Sequence, residues 1–141
     1  MTYLRKIILY VSIFLLSSSA FAFECNPEGN QAEMNQCAYD DFLKADRALN
    51  DVYQQLIKKS KGNKTYIKQL RKAQRAWIKF RDAELDAMFS CPEADIKLCW
   101  GSLVGIFYPT AKAELTEERT KKLQHYLDKG QNVSVEAAEG L

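Results

Sequence analysis

Four cysteines, one histidine, a few carboxylates and two arginines set among apolar residues are the groups in this chain whose type and spacing could carry chemistry. His125 stands alone, with no serine or reactive cysteine set beside it. Nucleophilic catalysis needs a base within hydrogen-bond reach of its nucleophile, so no catalytic residue is expected. Glu33, Asp46 and Glu84 could in principle form a carboxylate pair, but no cleft motif accompanies them. The cysteines, at 25, 37, 91 and 99, lack the C-x-x-C spacing and the clustered histidines of a zinc site. A thiolate at Cys91-Pro92 could suggest haem, yet an oxidising compartment would pair that sulfur instead. Neither a metal nor a cofactor is therefore expected. Four cysteines in a short exported chain read as two disulfides, with three possible connectivities. Their grouping favours Cys25–Cys37 and Cys91–Cys99, each closing a small local loop.

Export is itself an expectation from the first 22 residues. MTYLRK is a positive start, IILYVSIFLL an apolar run, and SSSAFA a small-residue ending with the A-x-A form of a cleavage site at Ala20-Phe21-Ala22. The run falls short of the ~20 apolar residues that span a bilayer, so no stable membrane span is expected after cleavage, and the protein is placed in the periplasm or outside the cell. Of the 141 residues, 1–22 then form a signal peptide, 23–129 a folded domain and 130–141 a flexible tail. Without Arg5 and Lys6 the basic and acidic residues balance, which gives no general attraction to nucleic acid.

The elements that must position these residues are helical. Residues 34–57 repeat Met34, Ala38, Phe42, Ala45, Leu49, Val52 and Leu56 at spacings of three and four, one face of a helix. Lys61-Gly62-Asn63 is a turn. A second helix over 65–89 carries the stripe Tyr66, Leu70, Ala73, Trp77, Phe80, Leu85 and Met88. At ~100° per residue Gln74 and Arg81 fall within it. Lys64, Lys68, Arg71, Lys72, Arg75 and Lys79 gather on the opposite side. SCPEADIKLCWG (90–101) reads as a stapled loop with at most one helical turn. Ser102 is placed to cap a further helix that Pro109 should kink or restart. From Thr110, Ala111, Leu115, Arg119 and Tyr126 share one face up to Gly130. No strand alternation stands out. The fold class is all-α: a small antiparallel bundle, a helical hairpin with a third long helix laid across it, stapled by two disulfides.

An inward arginine without a partner is costly. The reading therefore predicts a structural polar cluster of Arg81 and Arg119, with Asp46 as the carboxylate and Gln74 and Asn50 as hydrogen-bonding neighbours. Its role is to fix helix register.

Four stretches together resemble a known family. EMNQCA (33–38), AD-x-x-LN-x-x-Y (45–53), L-x-x-AQRAW-x-x-FRDAE (70–84) and LTEERT-x-x-L (115–123) are similar to the LprI-type lysozyme inhibitors of exported bacterial proteins, over roughly residues 25–127. The resemblance implies a small all-helical envelope protein and, for the namesake, inhibition of lysozyme. The chain departs from the family pattern where a cysteine often follows RDAE and another precedes the LT-x-x-R motif. Leu85 and TAKAE stand there instead, and Cys91 and Cys99 offer a local replacement.

Two functional readings follow. An inhibitor of lysozyme or a related muramidase needs a rigid projection that fills a substrate cleft and meets its paired carboxylates. The stapled segment with the apolar LVGIFY run that follows it (103–108) suits that role, with Trp100 as anchor, Lys97 or Ser102 as partner for a carboxylate, and Glu84, Asp86, Glu93 and Asp95 making the neighbourhood acidic against a commonly basic lysozyme. Trp100, Phe107 and Tyr108 could alternatively close the end of the core. The second reading is a non-catalytic module that binds anionic envelope polymers or lipid headgroups through the basic face of the second helix. From Lys58 to Arg81 there are ten basic residues and no acidic one. Such a face could also be simply solvated.

Overall fold

A computed structural model describes residues 25–130 of the chain. The expected signal segment and nearly all of the expected tail lie outside the described residues. Within them the protein is all-helical, with α1 (Gln31–Lys59), α2 (Lys64–Met88), a single turn α3 (Lys97–Trp100), a 3-10 turn (Gly101–Leu103) and α4 (Val104–Lys129).

α1 begins before its apolar stripe because Asn30 and Glu33 form a capping box. The Asn30 side chain accepts from the amides of Ala32 and Glu33, and the Glu33 carboxylate accepts from the Asn30 amide at 2.8 Å. Asn63 caps α2 by accepting from the Tyr66 amide at 2.9 Å. Ser102 does not cap α4. The helix is entered from the 3-10 turn, and the residue before it, Leu103, makes no side-chain cap bond. α4 also runs unbroken through Pro109. Only five helical residues precede the proline, so its missing N–H and its ring disturb a single leading turn.

The third long helix does not lie across the hairpin; it runs parallel to α1 along its length. Gln31 donates to the carbonyl of Ser102 at one end, Lys112 stacks over Phe42 in the middle, and Lys59 donates to the carbonyl of Leu127 at the other. The two backbones approach more closely than either approaches α2. Small residues allow this: Ala38 and Ala45 on α1 and Ala111 and Ala113 on α4 are all buried. At Gly105 even a Cβ would meet the Asn35 side chain at 2.6 Å. α2 runs antiparallel to both and presents larger groups, including Leu70, Trp77 and Arg81, which hold it farther off.

Two apolar clusters result. One, toward the α1–α2 turn, joins Leu49, Val52, Leu56, Leu70 and Leu123, with Tyr66 and Trp77 packed against it. The other joins Leu85, Phe89, Val104 and Ala111 beneath the stapled segment. Leu85 and Leu123 are fully buried. The expected α2 stripe needs correction at three positions: Ala73, Phe80 and Met88 are exposed. The buried line runs Leu70, Gln74, Arg81 and Leu85. Phe80 lies ~100° away from its centre at the helical angle per residue.

Candidate functional site

The structure pairs Cys25 with Cys37 and Cys91 with Cys99. The first bridge ties the chain before α1 to its second turn. The second closes a nine-residue loop between α2 and the 3-10 turn, and so fixes the segment that connects the two halves of the lower core.

Between the two apolar clusters lies a polar and aromatic girdle. Arg81 is 7 % exposed. Its Nε and Nη2 donate to Asp82 Oδ1 at 3.0 and 2.8 Å, and its Nη1 lies 3.5 Å from Thr116 Oγ1. Thr116, fully buried, donates its own hydroxyl proton to the Lys112 carbonyl at 2.7 Å. Trp77 lies beneath two guanidinium groups, those of Arg81 at 5.3 Å and Arg119 at 5.8 Å, and Phe42 lies 5.9 Å from Arg81. These are cation–π distances. Arg119 Nε donates to Gln74 Oε1 at 3.0 Å across α2 and α4.

Asp46 is not the carboxylate of this girdle. It accepts from Asn50 Nδ2 at 3.0 Å along α1, and neither side chain meets the arginines. Asp82 takes that place because the long Arg81 side chain can fold back to its own neighbour, while aromatic faces spread the remaining charge. Asp46→Ala should accordingly change stability by no more than about 0.5 kcal/mol, the usual range for a surface change. Chemical denaturation of the variant beside the parent protein checks this.

Burial shapes the titration of the surrounding groups. It lowers the Arg119 pKa, with Tyr126 and Tyr66 pulling the other way. It raises that of Tyr66, reinforced by Tyr126 and opposed by Arg119, and the Tyr66 hydroxyl is buried without a hydrogen-bond partner. Tyr108 is raised by burial first, then by Asp86 and Asp82. A phenol held protonated in the folded state gains nothing below its unfolded pKa of about 10. Above it the unfolded chain loses the proton first, so stability falls as pH rises through that point. Denaturant midpoints at pH 8 and about pH 10.5 should show the drop, and Tyr66→Phe should lessen it.

The stapled end has a different character. Glu93, Asp95, Lys97, Trp100 and Ser102 all lie on it and are exposed. Asp95 Oδ1 accepts from the Lys97 amide at 2.9 Å, holding the start of α3. Trp100 is 37 % exposed, and its ring stacks on Phe89 at 5.0 Å, which in turn meets Tyr108 at 5.2 Å. Trp100 is thus rooted in the core and open to solvent at once. Around it Leu98 is 71 % exposed, and Leu103, Phe107 and Met88 are also exposed. Of these, Met88 fits the α2 stripe by residue type but faces outward, Leu103 and Phe107 belong to the apolar run beside the staple, and Leu98 alone carries no signal in the sequence. Leu98 lies inside the stapled loop, where no helical period points to its facing. A crevice of about 460 Å³ opens beside this surface, between Tyr39, Phe42, Ile96, Tyr108 and Lys112. A smaller one, about 320 Å³, is lined by Asp86, Phe89, Glu93 and Tyr108. Among the described residues no group of histidine, cysteine and carboxylate side chains could hold a metal.

The motif residues Gln74, Trp77, Arg81, Thr116 and Arg119 meet in the girdle, so the motifs mark a way of packing three helices. The family model of the lysozyme inhibitor LprI matches residues 24–123. The chain belongs to the LprI family. A curated protein, the uncharacterized protein R02472 of Rhizobium meliloti (strain 1021), is 28 % identical over 120 residues, covering 77 % of this chain and 82 % of that one. No solved structure matches the chain. Within the LprI match fall both cysteine pairs and every girdle residue. No described helix is long and apolar enough to cross a membrane. The two disulfides and the lysozyme-inhibitor family are consistent with an extracellular or periplasmic place.

Proposed function

We propose that this protein is an exported inhibitor of lysozyme or a related muramidase, and that it binds through its stapled end. The carrying observation is the concentration of exposed large apolar side chains there, set among carboxylates. Among the described residues, all eight that stand exposed, Trp100 and Leu98 among them, belong to the half of the bundle that includes the staple. Burial of an exposed aromatic anchor is what most often gives a protein interface its affinity. Nearby Glu84, Asp86, Glu93 and Asp95 match a basic partner and favour its approach.

In this reading Trp100 enters the glycan cleft of the enzyme. Lys97 or Ser102, exposed to either side of it, meets one of the two catalytic carboxylates that the cleft presents. The disulfide keeps the segment ordered before binding, which lowers the entropy lost on association. The girdle takes no part beyond holding α2 and α4 in register, and the protein performs no chemistry of its own. Family membership supports the lysozyme target.

Size-exclusion chromatography of the oxidised protein with lysozyme should give an equimolar complex, and a chito-oligosaccharide that fills the cleft should dissolve it. A complex indifferent to the oligosaccharide would overturn the cleft-binding mode. Separate elution with lysozymes of several types would overturn the partner.

A further inference from the structure

Charge is segregated along the bundle. When each long helix is divided at its middle, the stapled half (residues 25–45 and 77–117) carries five basic and eleven acidic side chains, whereas the half around the α1–α2 turn (46–76 and 118–130) carries thirteen basic and four acidic. The near neutrality of the whole chain hides a molecule with a negative end and a strongly positive one.

Two observations indicate that the positive end is a contact surface and not a by-product of helix stability. First, the cations run against the helix dipole. The first four turns of α2, Lys64 to Lys79, hold six basic residues and no acidic one, while Asp82, Glu84 and Asp86 follow toward its C-terminus. A helix stabilised by its own charges has the reverse order. Second, the exposed large apolar residues are absent from this half. A partner there is held by charge at its surface, without an apolar anchor.

We infer that the α1–α2 turn and the outer face of α2 adsorb the protein to an anionic lipid bilayer through headgroup phosphates. The shape of the patch favours a plane over a single polymer strand. Lys64, Lys68, Arg71 and Arg75 form one exposed row, but Lys58 and Lys61 continue the charge off that row and around the end of the hairpin. A flat surface touches both parts, whereas a strand tracks one. Juxtamembrane basic clusters bind anionic bilayers in this way, within about a Debye length of the surface.

The natively produced, oxidised protein tests this by co-sedimentation with vesicles of phosphatidylglycerol and phosphatidylcholine, beside vesicles of phosphatidylcholine alone. Binding should require the anionic lipid and should fall at least about tenfold between roughly 50 and 300 mM salt. Lys64→Glu/Lys68→Glu should lose about tenfold in binding at low salt. Lys44→Glu/Lys97→Glu, with the same change in net charge on the other half, should lose less than about twofold. All four positions are exposed, and circular dichroism confirms the fold of each variant. Equal loss from the two double variants would overturn the proposal, because net charge alone would explain it. Equal binding to both kinds of vesicle would overturn it too, as would binding to a linear polyanion such as heparin with none to vesicles. Vesicle binding needs no lysozyme, so its failure and the failure of the inhibitor reading are separate results.

Discussion

Arg81→Ala lowers the stability of the oxidised protein by about 3 kcal/mol, in the range of a large-to-small change in a core. The loss comes from packing more than from charge. Asp82 is half exposed, with a side chain 50 % accessible, and returns to water when its partner is removed. Thr116 retains its bond to the Lys112 carbonyl. What disappears is the side chain that fills the space between Phe42 and Trp77. Arg81→Met, of similar length and uncharged, should therefore lose only about 1 kcal/mol, because an apolar group of matching volume often replaces a buried ion at little cost. Denaturant unfolding of both variants decides the matter. Equal losses would show that the ion pair and the aromatic faces, not the filled volume, hold the three helices together.

Trp100→Ala weakens inhibition of lysozyme by about 100-fold, or ~2.7 kcal/mol, the effect of removing a central aromatic anchor. Its effect on folding should be about 1 kcal/mol or less, since the ring is partly exposed and its aromatic contact is with Phe89. The separation of the two readouts is the informative part. If Trp100 merely closed the core, stability would fall and the residual folded protein would inhibit as before. Cys91→Ser/Cys99→Ser leaves Trp100 in place but removes the constraint on its loop, and should weaken inhibition by about tenfold through the ordering then required on binding. Inhibition constants from lysis rates, with unfolding curves for the same preparations, read both effects.

Much of this architecture can be seen in the chain before any coordinates. Helical periods in α1 and α2 place Leu49, Leu56, Leu70 and Leu85 on buried faces, because a 3.6-residue repeat is a geometric property of the sequence itself. The proximity of Cys91 to Cys99 is a matter of chain length alone. Other features depend on packing that a linear pattern does not carry. Neighbours one apart on a helix do not ordinarily face each other, so the helical spacing does not point to the Arg81–Asp82 pair, which forms because the arginine folds back. The close parallel pairing of α1 with α4 depends on alanines and Gly105 meeting across the bundle, whereas the hairpin turn drew attention to α1 and α2. Phe80 and Met88 fit an apolar stripe by residue type, but the polar pair Gln74 and Arg81 claims the buried line. Net charge conceals most: the segregation of acidic from basic halves emerges only when the helices are laid side by side.

The girdle and the stapled end also divide the labour of the fold. Motifs that place the chain in the LprI family lie mainly in the girdle, and they report how three helices are held. The surface that would meet an enzyme is built from the connection between α2 and α4, which the Cys91–Cys99 bridge closes into a loop. Specificity for one lysozyme type over another would therefore be sought in residues 91–107 and not in the motifs.

Titration of the oxidised protein into a lysozyme cell-wall lysis assay tests the central claim most directly. The account predicts that lysis falls in proportion to the protein added and stops near one equivalent. Undiminished lysis at a large molar excess, against lysozymes of several types, would contradict it.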